Sequence, residues 1–184
     1  MAERIEAAAK CQSWGYTIRY KYKPIVPVRG WQDEIAEMTR MVFDQTRPDV
    51  ISVFTLAWMD YAELLKLADT SLIDPRFLDG ARDAAEEFGK TKVRPFPHEL
   101  RKEVYEHCYR EIRKYDQQVP VSLCTESVQM WQELGPMLHL GPANYPCGCG
   151  PQANPNLAQL AASPWKIARP VAVDGDPPLA VGGE

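Results

Sequence analysis

The sequence of 184 residues predicts an α/β protein with a parallel sheet of about three strands and flanking helices. Three runs have strand character, and runs with helical periodicity separate them. The central run, VISVFTL at 50–56, is apolar on both faces, as is typical of a buried strand in a parallel sheet. Strands that alternate with helices are joined by right-handed crossovers, so all three are expected to run in one direction.

The first half of the chain predicts two helices and two strands. A helix over 3–14 ends at Gly15, because glycine is a common helix C-terminal stop. Residues 17–26 alternate between apolar and polar side chains, which indicates a strand. A helix over 31–46 then leads to the buried strand at 50–56.

The second half predicts four further helices and one strand. The helices are expected over 60–68, 74–88, 98–115 and 127–134, and the strand over 119–124. Asp74 followed by Pro75 is typical of a helix N-terminus. Cys108 shares an apolar stripe with Leu100, Val104 and Ile112, so we expect its thiol to be buried.

The chain divides by composition into a domain over 1–134 and a tail over 135–184. Glycine, proline and asparagine recur in the tail without sustained periodicity, so we expect it to be flexible. The net charge of −4 gives no general attraction to nucleic acid or to anionic membranes. No apolar stretch reaches the roughly 20 residues that span a bilayer. With no signal-peptide pattern, the cytoplasm is the expected location.

The first candidate site is the basic face of the first strand, formed by Arg19, Lys21 and Lys23. Three cations on one face are costly to bury without anions. One interpretation is therefore a barrel lumen that binds carboxylate or phosphate. The other is a solvated face on an edge strand.

The second candidate site is the end of the third strand, at Cys124, Thr125, Glu126 and Ser127. Ligands gather beyond the carboxyl ends of parallel strands, and these side chains can act as ligands or as acid and base. Ser127 has a second interpretation as the N-cap of the following helix.

A zinc site is a third possibility, because Cys124, His139, Cys147 and Cys149 match a tetrahedral set in number and type. The spacing does not match the usual zinc motifs. With five cysteines and no signal peptide, a disulfide framework is not expected.

Several segments between residues 2 and 134 resemble, in order and spacing, the later part of spore photoproduct lyase-like radical S-adenosylmethionine proteins. The segments are ERIEAAAKCQSWGY, a strand that ends KPI, the turn RGW, the strand ISVFTL, the stretch GKTKVRPFPHELRKEVYEHCYREIRKY and the strand VSLCTES.

The resemblance implies the C-terminal half of a partial β/α barrel, with S-adenosylmethionine and a [4Fe-4S] cluster as the family's cofactors. In the spore lyases a 5′-deoxyadenosyl radical reverses a thymine lesion in DNA. The family's upstream CxxxCxxC cluster loop is missing from this sequence. The resemblance implies a cofactor contact at the backbone carbonyl of Lys23, and Glu126 is a candidate by position alone. No catalytic residue carries over.

We therefore expect the chain to be inactive alone, either because it is truncated at its start or because it acts with a separate N-terminal barrel half. Self-association through an open sheet edge is the other expected contact. The resemblance makes DNA a candidate substrate. The alternatives are a non-catalytic interaction module built on the same fold and a small zinc-binding protein.

Overall fold

The computed structural model describes residues 1–88 and 94–141 of the chain. The elements follow the predicted order of helices and strands. They are α1 (Ala2–Ser13), β1 (Arg19–Ile25), α2 (Trp31–Gln45), β2 (Val50–Thr55), α3 (Tyr61–Leu67), a 3₁₀ turn (Thr70–Leu72), α4 (Pro75–Phe88), α5 (His98–Arg113), β3 (Val121–Leu123) and α6 (Val128–Leu138). No helix in these two ranges is long and apolar enough to cross a membrane.

The three strands form one parallel sheet in the order β1-β2-β3, which confirms the predicted α/β class. The central strand β2 is buried at all six positions, as its apolar sequence predicts. Adjacent registers align Lys21 with Ser52 and Ser52 with Ser122. These side chains therefore share one face of the sheet.

The two faces of the sheet have different coverings. On one face, the hydroxyl group of Tyr105 in α5 forms a hydrogen bond with the hydroxyl group of Thr55 at the end of β2. Because side chains alternate along a strand, Phe54 lies on the opposite face, where it forms a small separate cluster with Ala57 and Cys124. The opposite face also carries a hydrogen bond of 3.0 Å between Ser52 and Ser122.

One large hydrophobic cluster joins the helices to the sheet. It extends from Ile5 of α1 to Leu138 of α6. Trp31 at the start of α2 packs edge-on against Phe77 of α4, with ring centroids 5.9 Å apart. Cys108 has no exposed surface, which confirms the prediction from its apolar stripe.

Local hydrogen bonds explain where several helices begin. Asp60 and Glu63 form a capping box at the start of α3. The Asp74 carboxylate accepts a hydrogen bond from the N–H of Arg76. Ser127 accepts one from the N–H of Met130, so the N-cap interpretation of Ser127 is confirmed.

Some boundaries differ from the predictions. Helix α6 continues through Gly135 and Pro136 to Leu138, four residues beyond the predicted end. The reason is packing, because both Leu134 and Leu138 are buried on one face of the helix. Strand β3 is three residues long, shorter than the predicted 119–124. The remainder of the predicted tail, beyond 141, lies outside the described residues.

Candidate functional site

The carboxyl ends of the three parallel strands lie at one edge of the sheet, the edge at which α/β proteins bind ligands. Each strand contributes to this edge either a polar or reactive side chain or a residue with an uncommon backbone conformation. The residues are Lys23 from β1, Trp58 after β2, and Cys124, Thr125 and Glu126 after β3.

Lys23 lies in an irregular part of β1. The register with β2 shifts between Tyr22 and Ile25, and the Lys23–Pro24 peptide bond is cis. Register shifts of this kind often occur beside active sites, where they change the direction of a strand end. The Lys23 ammonium lies 4.5 Å from the ring centroid of Phe54, a cation–π distance.

Cys124 is nearly buried beside the Lys23 side chain. Its Sγ lies 3.5 Å from the Lys23 Nζ and 3.4 Å from the Thr125 Oγ1. The backbone angle φ of Thr125 is 54°, which lies in the left-handed region that a β-branched residue rarely adopts. The chain therefore makes a strained turn where it leaves β3.

Trp58 has the same backbone conformation after β2. Its φ is 68 and its side chain is 64% exposed. Large aromatic residues seldom adopt this conformation, and backbone strain of this kind clusters at functional sites. Two neighbouring strand ends thus both carry a left-handed residue.

Glu126 is the centre of a buried polar network on the α5 side of the sheet. Its side chain has no exposed surface. Oε1 accepts hydrogen bonds from the Arg101 Nε at 3.1 Å and the Tyr105 hydroxyl at 2.7 Å. Oε2 accepts one from the N–H of Ser127 at 2.9 Å. The carboxylate is therefore held by α5 and by its own turn.

Arg94 adds a second guanidinium to the same carboxylate. Its Nε lies 3.2 Å from the Glu126 Oε1, within ionic contact. This contact is an ion pair and not a hydrogen bond, so the buried Nε has no hydrogen-bond partner among the described residues. Arg101, by contrast, also donates to the carbonyl of Phe96 at 2.7 Å.

Tyr105 connects the network to β2. Its hydroxyl lies 3.1 Å from the Thr55 hydroxyl and accepts from the Thr55 N–H at 3.2 Å. Burial raises the pKa of Tyr105 well above its ordinary value, and the negative charge of Glu126 raises it further. The phenol therefore stays protonated and donates its hydrogen to Glu126.

The structure brings the two candidate cofactor residues to the same edge but to opposite faces of the sheet. Lys23 is exposed and lies over Phe54, whereas Glu126 faces α5. Within the network, Glu126 acts as a fixed support for the turn at Thr125 and Ser127. On the basic face of β1, Lys21 and Lys23 are exposed and Arg19 is half-buried.

The free thiols of the described residues do not converge on one point. Cys11 belongs to α1, Cys108 is enclosed in α5, and Cys124 follows β3. Ligation of an iron–sulfur cluster needs several thiolates around it, so this part of the chain does not fit a [4Fe-4S] cluster. Of the predicted zinc set, Cys147 and Cys149 lie outside the described residues, and His139 is exposed at the end of α6.

A different group of metal-ligand side chains occurs between α5 and α6. Ligand atoms of His98, Glu99 and Glu133 lie within 4.8 Å of one another. Glu133 is already occupied, because Lys102 contacts it at 2.7 Å and His98 at 3.1 Å. The hydrogen bond from Lys102, then that from His98, lowers the pKa of Glu133 to about 2. This group is an interhelical ion-pair network.

Four residues of the strand-end edge were not identified from the sequence: Trp58, Arg94, Arg101 and Tyr105. Arg101 and Tyr105 are spaced i, i+4 on the buried face of α5, and an arginine at such a position is a usable signal. Trp58 gives no comparable signal, because its backbone conformation is set by the fold.

Comparisons of the chain with protein-family models, with characterised proteins and with solved structures found no match. The side chains at the strand ends are therefore the basis for assigning a function.

Proposed function

We propose that this chain is the C-terminal half of a β/α barrel similar to those of spore photoproduct lyase-like radical S-adenosylmethionine enzymes. The order of the strands is the observation that carries the proposal. Each crossover moves the chain one strand further in the same direction, from β1 to β2 to β3. A barrel repeats this step throughout, and each half of a doubly wound sheet makes the same step up to its switch point. The strand order is therefore compatible with a barrel half, and the sequence resemblance selects the barrel.

The proposed role of this half is to supply strand ends that hold the cofactor. The shifted register of β1 at Lys23 and Pro24 supports a backbone contact there, because the chain departs from the regular ladder at this point. The proposal gives Glu126 an indirect role, in which its carboxylate fixes the turn between β3 and α6. The lysine side chain is then replaceable, but the turn is not.

The cluster itself is assigned to a separate N-terminal half. No CxxxCxxC motif occurs in the sequence, and the described thiols lie on separate elements. DNA as the substrate rests on the resemblance alone, and the net charge of −4 adds no support to it.

The test is complementation under anaerobic conditions. The chain is mixed with, or fused to, the N-terminal barrel half of a spore photoproduct lyase, and iron and sulfide are then added. We expect the visible absorbance of a [4Fe-4S] cluster and reductive formation of 5′-deoxyadenosine from the completed protein, and neither from the isolated chain. A fusion with Glu126→Gln is the matched variant, and it should produce less 5′-deoxyadenosine at equal cluster content.

Two results would contradict the proposal. One is a stoichiometric cluster on the isolated chain that disappears when Cys124, Cys147 and Cys149 are replaced. The other is a folded, cluster-loaded fusion that forms no 5′-deoxyadenosine.

A second candidate function is a non-catalytic interaction module, and a groove beside β1 favours it. A cavity of about 400 Å³ lies between α1, β1 and α2, next to residues 20–25 of β1 and the residue that follows the strand. Ile5, Met38 and Met41 contribute apolar surface to its walls. Among the described strands β1 pairs with β2 alone, so β1 is an edge strand of this sheet and edge strands can pair with another chain.

A further inference from the structure

The charges around Glu126 do not balance. Two guanidinium groups, those of Arg94 and Arg101, contact this one carboxylate. The side chains of the two arginines are only 12% and 8% exposed. Within residues 1–88 and 94–141, Glu126 is the carboxylate that both arginines contact. Among the described residues, one positive charge is therefore left without a counter-charge, and an uncompensated charge is costly where so little of the side chain is exposed.

Arg94 holds the surplus charge. Arg101 is held by hydrogen bonds from its guanidinium group to Glu126 and to the carbonyl of Phe96. The Nε of Arg94 lies 3.2 Å from the carboxylate, and this buried nitrogen makes no hydrogen bond within the described part of the chain. A guanidinium group offers five N–H donors in a fork that matches the oxygens of carboxylates and phosphates.

The position of Arg94 points to a ligand. Through Glu126 it lies at the carboxyl end of β3, the edge at which α/β proteins bind small molecules. The exposed Lys23 ammonium at the end of β1 lies at the same edge but on the opposite face of the sheet, so it is not part of this site. Among the described residues Lys23 forms no ion pair, because its contacts are the Phe54 ring and the Cys124 thiol.

We propose that Arg94 binds the anionic group, a phosphate or a carboxylate, of a small ligand at the carboxyl edge of the sheet. Glu126 orients the Arg94 guanidinium, and Arg101 and Tyr105 hold Glu126 in place. The inference does not depend on radical chemistry, because it requires only the intact chain and an anion.

The experiment measures anion binding by the full chain at constant ionic strength. Inorganic phosphate and acetate are titrated separately against chloride, and binding is followed by chemical shifts and by the melting temperature. We expect saturable binding of at least one of the two anions. Arg94→Gln should weaken that binding about tenfold or more, because a charge-assisted contact is lost. Arg94→Lys keeps the positive charge but lacks the planar guanidinium group. Its affinity for the anion should lie between those of the unchanged protein and of Arg94→Gln.

The matched control is Arg76→Gln. Arg76 is also an arginine in an ion pair, with Glu103, but its side chain is 60% exposed. This variant should bind the anion as the unchanged protein does. If circular dichroism shows that Arg94→Gln is unfolded, the comparison of anion affinity is made between Arg94→Lys and Arg76→Gln.

Two larger probes distinguish the sources of the anion. Thymidine 5′-monophosphate presents a phosphate, and S-adenosylhomocysteine presents an amino-acid carboxylate. Binding that depends on Arg94 for one of these probes supports the inference and identifies the class of ligand. The inference is wrong if neither phosphate nor acetate binds saturably, or if Arg94→Gln and Arg94→Lys bind as tightly as Arg76→Gln.

Discussion

At the level of single residues, the buried carboxylate of Glu126 and its two arginine partners form a network that is costly to desolvate. The Glu126 side chain has no exposed surface, and its oxygens accept hydrogen bonds from Arg101, Tyr105 and the Ser127 backbone. Buried ion pairs are costly to desolvate, so such a network stabilises the fold only while every partner is present.

Glu126→Gln is expected to destabilise the protein by about 3–5 kcal/mol, because it leaves both guanidinium groups without their counter-charge. Urea unfolding, followed by circular dichroism, measures the change. Glu103→Gln is the matched control. Glu103 pairs with Arg76 at the surface, so its loss should cost less than about 1 kcal/mol. Equal costs for the two variants would contradict the network described for Glu126.

The sequence predicts single residues well where one local rule decides the outcome. The helix N-cap at Ser127 and the burial of Cys108 both follow from spacing within a few residues. The pairing of Arg94 with Glu126 joins positions far apart in the chain, and only the fold brings them together. The left-handed backbone of Trp58 has the same origin, because neither the residue type nor its neighbours favour it.

At the level of elements, α5 and α6 are connected by polar contacts as well as by the core. Glu133 of α6 accepts from Lys102 and His98 of α5 and from Gln129 one turn earlier. These contacts, with the Lys102 hydrogen bond largest, hold the pKa of Glu133 at about 2, below its ordinary 4.5. The ionised carboxylate is thus favoured in the folded state.

This shift gives the stability of the protein a specific dependence on acid. Because the folded-state pKa is lowered, the contribution of Glu133 is present above about pH 4.5 and is lost as the pH falls towards about 2. In urea unfolding at several pH values, the stability gap between the unchanged protein and Glu133→Gln should therefore narrow below pH 4.5. Lys102→Met should reduce the change of this stability gap with pH, because the Lys102 hydrogen bond is the largest cause of the lowered pKa of Glu133. A gap that widens in acid would contradict the assignment.

The boundaries of elements were harder to predict than their order. All three strands and their direction follow from the alternation of strand and helix patterns. The end of α6 does not, because Gly135 and Pro136 suggest a stop while buried Leu138 extends the helix. Packing against the core decided this boundary, and packing is not visible in a short window of sequence.

For the molecule as described over residues 1–88 and 94–141, the groove between α1, β1 and α2 is a surface suited to association. It combines apolar wall residues with an edge strand that pairs only with β2 among the described strands, and edge strands readily pair with other chains. In the proposed barrel, a strand of the N-terminal half would lie there. Without that half, a second copy of the chain is the available partner.

We therefore expect the isolated chain to self-associate as its concentration is raised, with an increase in sedimentation coefficient. Met41→Glu should reduce the association, because it places a charge in the apolar groove. Gln45→Glu, on an exposed position of the same helix, is the control and should leave association unchanged. A folded monomer at all concentrations would contradict the role given to this edge.

The enclosed thiol of Cys108 has a consequence for kinetics. Thiolates are the reactive form of cysteine, and burial raises the pKa of Cys108 well above its ordinary value. A thiol reagent can reach this sulfur only after α5 separates from the sheet, whereas half-exposed Cys11 reacts without such an opening. The labelling rate of Cys108, relative to that of Cys11, thus reports how often the centre of the molecule opens in the native state.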